Sequence, residues 1–354
     1  MKQTYRLDCV SWEITLRCNL RCFHCEFSAG KPAPDELTTE EALSLCDDLA
    51  KIGCKRVILM GGEVFLRKDW YHIAEKIKQL HIEVAFITNG YLLNDRLIGQ
   101  LQHLQPAFVG VSVDGGTAET HDKIRGVTGS FDRAFRFVDR CIDTHLPVII
   151  ITSVHKLNIA ELPLLRDILI TKDIFRWEIQ ITDVEGRFSK DYLVDEHEFY
   201  EVGNFIARTQ KEYPRLKQVV SGAHDMGYNS SILPELTGFP AWTGCPAGKT
   251  MMAIESNGGV KGCSAQTGHF VEDNIRNRGV IEIWNDPHSF AYNRQFTKQD
   301  LHGYCRQCIY GETCKGGCVE TSYMLTGSTH GNPYCFHRIE EKTRKRNRKE
   351  EPSD

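Results

Sequence analysis

No run of eighteen apolar residues occurs in the 354-residue sequence, so hydropathy offers no membrane-spanning helix. Nor is one sign of charge in excess. Lys and Arg number 43 against 47 Asp and Glu, a net charge of −4, which excludes a general electrostatic role toward nucleic acid or membrane surfaces. The opening MKQTYRLDCVSWEITL lacks the basic, apolar and small-residue order of a secretory signal, and a cytoplasmic protein is expected. Such a chain should be poor in cysteine, yet this one has 14. In a reducing compartment clustered thiols point to metal rather than to disulfides. Three fall at 18, 22 and 25 and seven between 245 and 335, while the long middle of the chain has almost none. For the isolated Cys9, Cys46, Cys54 and Cys141 the expectation is a small buried hydrophobe.

The middle alternates strand and helix. Short apolar, β-branched runs begin near residues 10, 56, 82, 107, 147 and 176. Helix-like stretches separate them. TTEEALSLCDDLAKIG opens on a Thr cap with an acidic first turn and stops at Gly53. Residues 69–80, 94–104, 130–143 and 158–170 read alike, with Pro163 limiting the first turn of the last. Six such units predict an α/β fold, a parallel sheet with helices outside it, as an incomplete barrel rather than a closed eight-fold one. Strands apolar along their length fit burial on both faces. Chemistry then belongs at the C-terminal ends of the strands. There stand the cysteine triplet, GGE (61–63), TNG (88–90), SVDG (112–115) and TS (152–153).

Three cysteines within eight residues can wrap one cubane 4Fe–4S cluster and leave one of its irons without a protein ligand. A structural zinc site wants four closed ligands. His24 is a possible zinc ligand by type, but it adjoins Cys25, where local geometry works against both ligating at once.

Cys18, Cys22 and Cys25, with His24 in the aromatic position of Cys-x3-Cys-x-aromatic-Cys, resemble the signature of the radical S-adenosylmethionine superfamily. The resemblance implies a 4Fe–4S cluster whose open iron is chelated by S-adenosyl-L-methionine, reductive cleavage to a 5′-deoxyadenosyl radical, and hydrogen abstraction from substrate. It also implies a low-potential electron donor such as flavodoxin or ferredoxin. Gly61, Gly62 and Glu63 match the stretch that receives the methionine ammonium. Val64 stands where the family often has proline. Ser112 and Arg125 match positions that hold the methionine carboxylate and ribose. A turn explains GGE equally, and a surface helix residue Arg125, when each is taken alone. Asn89 and Thr152 fit turn capping as well as the mouth of a site.

The downstream cysteines read Cys245, Gly258, Cys263, Cys305, Cys308, Cys314, Cys318 and Cys335 with the glycine included. On residue types alone they suit zinc ribbons or iron-sulfur clusters, and seven ligands is an odd count for two closed sites. The pattern resembles the seven-cysteine SPASM domain. That resemblance assigns Cys305, Cys308, Cys314 and Cys335 to an outer auxiliary cluster and Cys245, Cys263 and Cys318 to an inner one, two auxiliary iron-sulfur clusters in all. Members with a fully ligated inner cluster carry a further cysteine shortly after the first, where this chain has CPAGKTMMAIE. An open iron, a non-cysteine ligand and direct substrate binding all remain available there.

The expected organisation is a partial (β/α)6 barrel with a helical linker over 1–235, a cysteine-rich SPASM domain with auxiliary clusters over 236–338, and a charged tail, frayed or disordered, over 339–354. Relatives of this type mostly modify peptides or proteins, so the leading expectation is an oxidative peptide maturase, for example one crosslinking a ribosomal precursor peptide. Haem, porphyrin or other cofactor biosynthesis and sulfatase maturation are alternatives. Ser264 weakens the last, because sulfatase-maturing enzymes place aspartate after the cysteine matching Cys263. With the first strand near residue 10, a separate peptide-recognition protein or recognition by the barrel and SPASM surfaces is expected. A non-catalytic zinc-binding adaptor is the rival from a different class.

Overall fold

The computed structural model describes residues 5–213, 219–223, 226, 229–233, 236 and 242–350, the last four by backbone only. Six parallel strands appear where the apolar runs stand: β1 Cys9–Thr15, β2 Arg56–Gly61, β3 Glu83–Thr88, β4 Val109–Ser112, β5 Val148–Val154 and β6 Arg176–Ile181. Each pairs with the next in parallel register, and a short seventh strand, β7 Val220–Gly222, extends the series beyond β6. Among the described residues the sheet is open. Its other flank is built by β8 Met251–Ile254, parallel to β1, then β9 Gly259–Lys261 and β10 Asp273–Asn274, both antiparallel. The C-terminal region therefore continues the barrel sheet rather than forming a sheet of its own. The proposed boundary at 235 lies outside the described residues, as does 351–354 of the tail. The described part of that tail is helical, from Phe336 to Glu350.

Local sequence explains the helices. Thr38 accepts from the Glu41 N–H while the Glu41 carboxylate receives the Thr38 N–H, and Gly53 ends the helix at φ +86°. Leu45, Cys46 and Leu49 on its inner face meet Val57 and Leu59 of β2 in one continuous core. Residues 158–170 split into a 3-10 turn, Ile159–Glu161, and a helix, Leu162–Leu169, with Pro163 in its first turn. A helix absent from the expectation, Ala118–Arg125, follows β4. It proves to be the seat of the cysteine loop. Cys46, Cys54 and Cys141 are buried, as small hydrophobes should be, and burial pushes all three thiols up to about 12.

Candidate active site

Beyond β1 the chain turns through residues 16–30, and the turn is pinned on two sides. On one, the Arg21 and Phe23 N–H groups donate to the carbonyls of Arg125 (3.0 Å) and Ile124 (3.1 Å), satisfying the end of helix Ala118–Arg125. Gly126 must be glycine for this: its φ is +70° and a Cβ would lie 2.6 Å from the Arg21 carbonyl oxygen. On the other side, Arg187 donates from Nε to the Cys22 carbonyl and from Nη1 to that of Ala29, each at 2.9 Å. All three sulfurs receive donors. Leu20 N–H reaches Cys18 Sγ and Ala29 N–H reaches Cys25 Sγ at 3.4 Å, Arg125 Nη1 reaches Cys22 Sγ at 3.7 Å, and Asn89 Nδ2 reaches Cys18 Sγ at 3.8 Å. Such N–H donors orient thiolate ligands and tune a cluster's potential.

Burial, helped by Glu63 and the neighbouring thiols, pushes the Cys18 thiol up to about 11, and burial with Cys22 and Glu26 raises that of Cys25. The positive charge of bound iron would favour the thiolate form. Among the described residues no group of three or more His, Cys, Asp and Glu side chains is placed to share one metal ion. Sulfurs that each bind a different iron of a cubane need no such common point. The donor set fits a cluster held by three thiolates.

The strand ends meet around a cavity of about 320 Å³ lined by residues of all of β1–β6, among them Gly61, Gly62, Asn89, Ser112, Arg125 and the three cysteines. Gly61 and Gly62 serve the chain's own backbone. A Cβ on either would stand 2.3 Å from the Thr15 carbonyl oxygen or 2.4 Å from that of Arg17, and φ at Gly61 is +134°. The Gly62 N–H donates to Thr15 (2.7 Å) and the Glu63 N–H to Arg17 (2.8 Å). The Glu63 carboxylate is buried and accepts from Thr88 Oγ1 (2.7 Å), the Asn89 N–H (2.9 Å) and the Phe65 N–H (3.3 Å). Burial pushes it up to about 6 against those donors. Glu63 ties β2 to β3 and is not among the residues lining the cavity. Thr152 is likewise internal, donating to the Val113 carbonyl and accepting from Trp177 Nε1.

Asp114 organises the wall that faces the triplet. Its Oδ2 lies 2.5 Å from Arg125 Nη2 and 3.3 Å from His24 Nε2, and its Oδ1 accepts from the Ser153 N–H at 2.9 Å. Burial would raise this carboxyl, but Arg125 and the histidines hold it below the usual range. Burial pushes His24 down to about 3, so its ring is neutral. His24 packs with Phe23 and His155 against the cavity.

The seven downstream cysteines fall into two places. Cys305, Cys308, Cys314 and Cys335 line one small enclosed pocket with Tyr304, Tyr310 and His337. Cys245, Cys263 and Cys318 line the main cavity opposite the first triplet, with Cys245 and Cys318 thiols hydrogen-bonded. Two groups of four and three sulfurs result, each able to hold a cluster. Between triplet and inner trio the wall is acidic: Glu26, Glu178, Asp183 and Glu320 line it, against two guanidiniums, Arg125 and Arg187. Burial and the neighbouring carboxylates push Glu26 up to about 7 and Glu320 up to about 9. Sequence reasoning missed Asp114, Arg187 and this acidic wall. Asp114 stood inside the SVDG motif; the others carried no local signal.

Comparison with known proteins agrees with this layout. The Radical SAM superfamily matches residues 12–168 and the SPASM iron-sulfur cluster-binding domain matches residues 245–309. The chain is 29% identical to an AdoMet-dependent heme synthase of Methanosarcina barkeri, over 93% of this chain and 96% of that protein. It is 27% identical to the mycofactocin maturase MftC of Mycobacterium tuberculosis, over 89% and 79%. Among solved structures, anSMEcpe with bound AdoMet and Kp18Cys peptide superimposes with a TM-score of 0.75 at 18% identity, covering 95% of each chain. Streptococcus suis SuiB bound to S-adenosylmethionine gives 0.71 at 16%, covering 92% of this chain and 76% of that one. These likenesses establish the fold.

Proposed function

We propose that this chain, a radical S-adenosylmethionine superfamily enzyme with a SPASM domain and auxiliary iron-sulfur clusters, abstracts hydrogen from a peptide or protein and leaves it oxidised. Bound S-adenosylmethionine, together with the cluster, would supply the radical chemistry that removes hydrogen from the substrate. The chain's own part is to hold that cluster with Cys18, Cys22 and Cys25 and to face the cofactor with Ser112, Arg125, His24 and the backbone of Gly61 and Gly62. Arg125, already fixed by Asp114, offers a guanidinium to a carboxylate. His24 lines the cavity and is backed by ring contacts with Phe23 and the buried His155.

The observation that carries the substrate class is the sign of the cavity. Glu178 and Asp183 line it beside Glu26 and Glu320, whose carboxyls burial pushes up to about 7 and about 9 and so keeps at least partly protonated near neutral pH, while Arg125 is paired with Asp114 and Arg187 donates to backbone carbonyls. An iron porphyrin bearing several propionates would bring negative charge beside Glu178 and Asp183, which low-dielectric surroundings penalise. A peptide brings amide donors and, with Lys or Arg, positive charge. MftC, named a maturase, is a relative in this sense. A second reading, a haem-forming step, rests on similarity to proteins named AdoMet-dependent heme synthase and Fe-coproporphyrin III synthase. A separate peptide-recognition protein and a flavodoxin or ferredoxin donor are further parts of the proposal.

The test is uncoupled against coupled turnover. Anaerobically reconstituted protein with S-adenosylmethionine and dithionite is given either peptides encoded beside its gene or iron coproporphyrin III. Deoxyadenosine should rise with a peptide that also loses mass by two hydrogens. A rise with the porphyrin and none with peptides would replace this reading by the haem one.

A further inference from the structure

Three sulfurs face the main cavity from the C-terminal region, and a cubane has four irons to ligate. From the same wall comes an acid. Glu320 lies two residues after Cys318, in the first turn of helix Val319–Thr326. It is 2% exposed, and neither carboxylate oxygen has a hydrogen-bond partner. A buried carboxylate without donors is strongly unfavourable unless a cation meets it. Among the described residues no Lys, Arg or His donates to it. Lys261, the base nearest in electrostatic effect, donates to the Gln266 carbonyl at 2.6 Å and pairs with Glu255 at 3.1 Å. The other charges felt at Glu320, from Asp183, Glu185 and Glu26, are all negative. Cys263 is within electrostatic reach of Glu320. The lining that holds Cys245, Cys263 and Cys318 thus also presents one unpartnered carboxylate.

We infer that Glu320 is the fourth protein ligand of the inner auxiliary cluster, its carboxylate oxygen binding the iron that Cys245, Cys263 and Cys318 leave free. Iron supplies the missing cation, and the carboxylate supplies the missing anionic ligand. No electron moves: one Fe–O bond forms, a solvent ligand leaves that iron, and any proton on the carboxyl goes to water. The site would then be closed to substrate. A thiolate-rich cluster with one oxygen ligand also sits at a higher potential than an all-cysteine one, in line with the control that ligation exerts on such clusters.

The experiment needs no substrate, so it stands or falls separately from the peptide reading. Full-length protein carrying Cys18→Ala, Cys22→Ala and Cys25→Ala is reconstituted anaerobically, leaving only auxiliary clusters. Iron, sulfide and the EPR spectrum of the reduced protein are read with and without cyanide, a probe for an iron that lacks a protein ligand. With Glu320 present the spectrum should not respond to cyanide. With Glu320→Ala it should respond, or the inner cluster's iron should be lost. Glu320→Cys should retain the full iron complement with shifted g-values, which also shows that the fold survives change at this position. The inference is overturned if the parent protein responds to cyanide as Glu320→Ala does. It is overturned equally if Glu320→Ala matches the parent in iron content, spectrum and cyanide response, or if Glu320→Cys also loses the inner iron.

Discussion

Replacing Asp114 by asparagine leaves the Arg125 guanidinium buried beside an amide that cannot carry the opposing charge. Asp114 is 1% exposed and Arg125 7%, so water cannot take over. Removing one partner of a buried ion pair typically costs about 3–5 kcal/mol, whereas replacing both by groups of similar volume is often close to neutral. At about 2.1 cal/mol/K per residue, the 354-residue chain unfolds with an entropy of roughly 0.74 kcal/mol/K, so the single change should lower the unfolding midpoint by about 4–7 °C. Arg125→Met leaves Asp114 unpaired and should do the same. The double variant Asp114→Asn/Arg125→Met should regain at least half of the loss, a coupling of about 2 kcal/mol or more in the cycle. The assay is anaerobic thermal unfolding of the reconstituted protein by circular dichroism, with iron counted in each variant. The cysteine loop rests on the Arg125 and Ile124 carbonyls, so the single variants should also lose iron from the first cluster. Additive losses in the double variant, or midpoints within about 1 °C of the parent for both single ones, would refute the reasoning about this pair.

Gly61→Ala places a Cβ 2.3 Å from the Thr15 carbonyl oxygen at a φ of +134°, so the ends of β1 and β2 must part. Loss of roughly 1–3 kcal/mol of stability and weaker S-adenosylmethionine binding by equilibrium dialysis are expected. His121 and His155 are buried and pushed down to about 4, mainly by burial, whereas unfolded imidazoles titrate near 6.5. The unfolded chain therefore takes up protons first as pH falls, and stability is lost from about pH 6.5 toward pH 4. With His24 also pushed down, to about 3, three rings at about 1.4 kcal/mol per unit make roughly 4 kcal/mol at pH 5.5, and His155→Gln should remove about a third of that slope in midpoint against pH. Cys308→Ala opens the outer pocket and should release its iron while deoxyadenosine formation persists at a reduced rate, read by iron assay and chromatography.

Much of the barrel was legible because its signals are local. Thr38, Glu41 and Gly53 announce a helix without help from the rest of the chain, and each long apolar run became a strand. What escaped was non-local or short. β7 has three residues, and β8 pairs with β1 across some 240 residues of sequence, so no periodicity could reveal that the cysteine-rich region continues the barrel sheet. The spacing of Cys18, Cys22 and Cys25 was informative because a loop sets it. Glu63 stands in GGE, where the resemblance implies a role toward the cofactor; that its oxygens also accept from Thr88, Asn89 and Phe65 is a feature no local pattern announces. Glu320 carries no local signal, since only the folded chain buries it beside the inner cysteines. Asp183 and Arg187, in a loop after β6, gave no sequence cue at all.

The direct test of the central claim is EPR of the reduced, anaerobic protein with and without S-adenosylmethionine, compared with the Cys22→Ala variant. A cubane signal whose g-values shift on adding the cofactor, absent from Cys22→Ala while auxiliary iron remains, is the predicted result. A parent spectrum that S-adenosylmethionine leaves unchanged, or that Cys22→Ala shares, would contradict an open iron at the mouth of the barrel.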